Sequence, residues 1–107
     1  MSVQIYDVIN NDEPSEIIIP VATETVFESI WATALQELNI DRLGNGVWLQ
    51  RDKLDLLLKD FLRVREWARE HCSIERADNM ARRIDYILEE LPRQWGENPD
   101  IGQLWMG

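Results

Sequence analysis

The sequence predicts a mainly α fold, a three-helix bundle-like domain with a small amino-terminal β-hairpin or short sheet. Three observations carry that expectation. Apolar residues recur at helical spacing along three segments. Turn-forming clusters and a proline separate or end those segments. Residues of β-favouring type gather ahead of the first helix. At 107 residues the chain is the size of one domain. A chain of that size buries roughly two-thirds of the surface its unfolded form exposes.

Taken in order, residues 1–22 read as extended. Val3, Ile5, Tyr6, Val8 and Ile9 precede the turn cluster Asn10 to Ser15, and Ile17 to Ala22 form a second strand. Pro20 places that strand at an edge or an end, because it cannot donate to a ladder. A helix is predicted over 23–39. Thr25 and Glu28 have capping-box spacing, Thr23 is the alternative cap, and Val26, Phe27, Ile30, Trp31, Ala34, Leu35 and Leu38 form its apolar stripe. Gly44-Asn45-Gly46 is a turn, and Val47-Trp48-Leu49 is a third short strand. Trp31 and Trp48 are both assigned to the core.

The second helix is predicted over 52–72 with Asp52 as its cap. Leu54, Leu57, Leu58, Phe61, Val64, Ala68 and Cys72 face inward. Arg65 falls within that face, where a charge needs a partner or must snorkel. Leu56 and Trp67 fall on the opposite, polar side. The third helix is predicted over 74–91, capped by Ser73 and stopped by Pro92, with Asp78 and Arg82 at ion-pair spacing on its outer face. Residues 93–107 read as an irregular tail. Ile101, Leu104, Trp105 and Met106 are too apolar for it to dangle, so it packs on the domain or on another chain.

Charge carries the functional signal. Residues 1–41 hold Asp7, Asp12, Glu13, Glu16, Glu24, Glu28, Glu37 and Asp41 and no Lys or Arg; the first base is Arg42. The formal charge of −9 therefore divides as −8 before Arg42 and −1 from there on. Such a field speeds association with cationic partners and repels nucleic acid and anionic lipid. The basic groups Arg63, Arg65, Arg69, Arg82 and Arg83 sit among compensating acids, which disfavours a phosphate-binding stripe.

Catalytic machinery is not visible. His71 is the only histidine, so no multi-histidine metal site exists. His71 and its neighbour Cys72 diverge by about 100° on a helix, too far to act together on one atom. No Gly-rich phosphate loop, nucleophile elbow or zinc-helix motif occurs. Asn10-Asn11-Asp12-Glu13 lacks the alternating ligands and central glycine of a calcium loop. No catalytic residue, metal or cofactor is expected. The lone cysteine fits a reducing compartment. No basic segment followed by an apolar run opens the chain, so cytoplasm is the expected location.

What remains is a protein-binding role. Asp7, Asp12, Glu13, Glu16, Glu24 and Glu28 are the candidate anionic contacts, with Trp67 and Trp105 as candidate apolar anchors. In size, acidity, lone cysteine and absence of catalytic groups, the chain resembles small acidic bacterial immunity proteins, the antidotes of toxins such as those of contact-dependent inhibition. The resemblance implies inhibition by occlusion of a basic, nuclease-type toxin domain, with no nucleic-acid or membrane partner. The alternative is a structural or adaptor subunit that self-associates through its apolar tail and the outer face of the second helix. The choice between monomer and homodimer stays open.

Overall fold

A computed structural model describes residues 2–8 and 16–107. Strands β1 (Ser2–Tyr6) and β2 (Ile18–Thr23) come first. Helix α1 joins the segments Glu24–Val26, Phe27–Trp31 (a π-helical turn) and Ala32–Glu37 without a break. Then follow β3 (Val47–Gln50), a 3-10 turn at Arg51–Lys53, α2 (Leu54–His71), α3 (Ile74–Glu97) and β4 (Gln103–Met106). The strands form one antiparallel sheet in the order β2-β1-β4-β3.

The fold is therefore mixed α/β, not mainly α with a small hairpin: of the described residues 60% are helical and 19% lie in the four-stranded sheet. The correction comes from the tail. Instead of an irregular segment, residues 103–106 form the strand that fills the gap between β1 and β3. Leu104 and Met106 are drawn under the sheet by pairing with Leu49 and Val47, and both are fully buried. Gly107 continues the ladder by exchanging two backbone hydrogen bonds with Gln4.

A second correction concerns Pro92. It does not stop α3, which runs on to Glu97. Losing one helical hydrogen bond at an internal proline costs about 3 kcal/mol. Continuation offsets this by burying Trp95 at helical spacing from Ile84, Ile87 and Leu91, with its indole N–H donating to the Ile101 carbonyl at 2.6 Å. Buried side chains of the three helices join the inward strand residues Val3, Ile5, Ile19, Val21, Leu49, Leu104 and Met106 in one core. The helices thus cover one face of the sheet.

Local chemistry explains the helix ends. The Thr23 hydroxyl caps α1 by accepting from Val26 N–H, and Ser73 does the same for α3 from Arg76 N–H. Asp52 caps nothing; it lies inside the 3-10 turn that leads into α2. The far end of α1 closes with Asn39 at φ 56°, while Ile40 and Asn39 N–H reach the Leu35 and Gln36 carbonyls. That is a Schellman motif. Arg65 finds its partner on the next helix, with Nε 3.0 Å from Asp85. Asp78 and Arg82 both stay exposed without closing into an ion pair. No helix among the described residues is long and apolar enough to cross a membrane.

Candidate protein-docking groove

The six proposed anionic contacts do not converge. Asp7 is buried, 3% exposed, and its carboxylate accepts the Ile17 backbone N–H at 2.7 Å. It ties the end of β1 to the approach of β2 and is not a surface contact. Asp12 and Glu13 lie outside the described residues. Glu16 is exposed beside Glu97, Asn98 and Asp100, near the end of α3. Glu24 and Glu28 belong to the first turns of α1, beyond the opposite end of β2, where a carboxylate complements the helix dipole.

Among the described residues the ion pairs join arginines to later acids: Arg42 and Arg63 to Asp60, Arg65 and Arg69 to Glu66, Arg65 to Asp85, and Arg93 to Glu90 and Glu97. Glu16, Glu24, Glu28 and Glu37 enter none of them. Arg42, the first base in the chain, is committed to the buried Asp60 through Nε at 2.8 Å and Nη2 at 3.2 Å. That hydrogen bond, and then the Asp60 charge, raises the Arg42 guanidinium above its ordinary pKa. The acids of α1 therefore remain uncompensated.

They meet other acids at the carboxyl end of α1. Glu37 and Leu38 face Leu62, Arg63, Glu66, Trp67, Glu70 and His71 of α2 across an open groove of about 540 Å³. Trp67 is its fixed element. The sequence places this ring on a polar helix face, yet it is only 9% exposed, because the end of α1 lies over it. Its indole N–H donates to Glu37 at 2.7 Å, and one ring face stacks on His71 at 4.6 Å, with 12° between the planes. The His71 Nδ1 lies 2.9 Å from the Trp67 carbonyl oxygen. Leu62, 45% exposed, supplies apolar surface open to solvent.

Three carboxylates rim an apolar floor: Glu37 and Glu70, which enter no ion pair among the described residues, and Glu66, which is already paired with Arg65 and Arg69. The base between them, Arg63, donates to the Leu38 carbonyl at 2.8 Å and lies 3.8 Å from Asp60, so its charge is already engaged. Chemically, the groove suits a cationic side chain on an apolar stem. Among the described residues no three His, Cys, Asp or Glu side chains are arranged to hold a metal.

Sequence reasoning missed Glu37, Glu66 and Glu70 as a set. The i,i+4 spacing of Glu66 and Glu70 was legible; the approach of Glu37 was not. Trp105 lies elsewhere, half-buried on the outer face of the sheet, its ring edge-to-face with Trp48 at 5.0 Å. Trp48 is not a core residue: its neighbour Leu49 is buried, and alternation along β3 turns Trp48 outward, 44% exposed. Comparison of the chain with protein-family models, with curated proteins and with solved structures yields no match.

Proposed function

We propose that the chain is a non-catalytic protein-binding module of the immunity type, which binds and blocks a basic, nuclease-type toxin domain. The supporting observation is the groove between α1 and α2, where Glu37, Glu66 and Glu70 surround Leu38, Leu62 and the anchored ring of Trp67. Acids at the rim accelerate capture of a cationic surface, while burial of apolar atoms at the centre slows its release. Trp67 is already held by Glu37 and His71, so little side-chain freedom is lost when a partner arrives. The proposed contacts move from Asp7, Asp12, Glu13, Glu16, Glu24 and Glu28 to the acids that face one another across this groove.

The test is co-expression with a basic, nuclease-type toxin domain, sought first in the product of the neighbouring upstream gene. Expected are rescue of growth and a complex that weakens as ionic strength rises. Replacing Glu37, Glu66 and Glu70 together by Gln should slow association several-fold. Loss of rescue without a complex, or a complex indifferent to those changes, would remove the reading.

A further inference from the structure

The outer face of the sheet is a separate surface. The register pairs Ile18 with Tyr6, Tyr6 with Trp105 and Trp105 with Trp48. Directly paired residues share a face, so these four side chains form one apolar row across all four strands. It is open to solvent at both ends, with Ile18 53% and Trp48 44% exposed. Beside the row lie Gln50 and Gln103, joined by a hydrogen bond at 3.2 Å, and on its other side Gln4. Among the outward residues of the four strands none is charged, in a chain that is 29% charged. Depletion of charge together with enrichment of Trp and Tyr is the composition of an interface centre.

We infer that this face pairs with the same face of a second copy of the chain. Charge selects that occupant. Two molecules of charge −9 repel wherever their acids meet, and this face brings none of its own. Its polar groups are also complementary to themselves. Glutamine amides and the tyrosine hydroxyl each donate and accept, so a two-fold axis that sets residue i against j, and j against i, can still face each donor with an acceptor. The area suffices for a weak dimer. Strands about 4.8 Å apart and residues about 3.4 Å apart make a patch on the order of 20 by 17 Å, exposing roughly 500 Å² with its side chains. Two such faces bury about 1,000 Å², the lower bound of a specific interface. An interface this small makes the dimer weak, so its formation should depend on chain concentration.

Sedimentation velocity of the intact chain, from about 5 to about 500 µM, tests this by mass action. The mass should climb from one chain toward two, and added salt should leave the dimer unchanged or strengthen it by screening the net charge. Trp48→Glu at one end of the row and Ile18→Lys at the other should each weaken it at least about tenfold. Both positions are exposed, and far-UV circular dichroism confirms that each variant folds. A chain that stays monomeric throughout overturns the inference and leaves the face to a protein of another sequence. So does a dimer that both variants leave intact, or one that salt dissolves.

Discussion

Two surfaces of this molecule are built around tryptophan, and they differ in what surrounds the ring. At the groove, Trp67 is nearly covered, hydrogen-bonded to Glu37, stacked on His71 and ringed by carboxylates. On the sheet, Trp48 is half-open, touches Trp105 edge-to-face and has only uncharged neighbours on its face. The residue type alone does not tell what such a ring binds. Its surroundings do: acids around an apolar floor select a cation, whereas amides around an aromatic row select another neutral face. Salt should therefore weaken binding at the groove and should not weaken pairing through the sheet.

The largest effect that separates them is on folding. Trp67→Ala removes a buried ring and leaves a cavity between α1 and α2, and should lower stability by about 3 kcal/mol. Trp48→Ala removes a half-exposed ring and should cost about 1 kcal/mol or less. Urea unfolding of both variants checks the ranking. Equal losses would mean that the sheet row belongs to the core after all. Next in size is association: Trp48→Glu should weaken self-association at least about tenfold while leaving capture of a basic partner intact, read by sedimentation and titration of the same sample.

The sequence made part of this legible and hid the rest for identifiable reasons. Helical periodicity marks all three helices, because each presents a long stripe to one core. A four-residue strand such as Gln103–Met106 carries too little period to be distinguished from an apolar tail, and its partners lie far away in sequence. Trp48 was assigned inward because a lone strand does not reveal its phase; only pairing with Trp105 does. Trp67 was assigned to a polar side because a helical stripe describes one helix and not the end of α1 that covers it. The acidic segregation was legible and so was the absence of compensating bases. Where those acids go was not: Asp7 turned inward to hold Ile17, and Glu37 reached α2.

Smaller effects sharpen the contrast at the groove. Replacing Glu37, Glu66 and Glu70 by Gln should slow capture of a basic domain about three- to tenfold at low salt, with the difference shrinking as salt rises; stopped-flow rates measure it. The single change Glu37→Gln should alter stability by no more than about 0.5 kcal/mol, because the amide oxygen still accepts from the Trp67 indole. A much larger loss in thermal unfolding would show that the carboxylate serves the fold rather than a partner.

The most direct measurement uses the indole N–H resonances of the five tryptophans. On titration with a basic toxin domain, the Trp67 signal should shift, since its proton is held by a groove carboxylate, while those of Trp48 and Trp105 stay in place. Movement of Trp48 and Trp105 with Trp67 unchanged would contradict the assignment of the acidic groove as the capture surface.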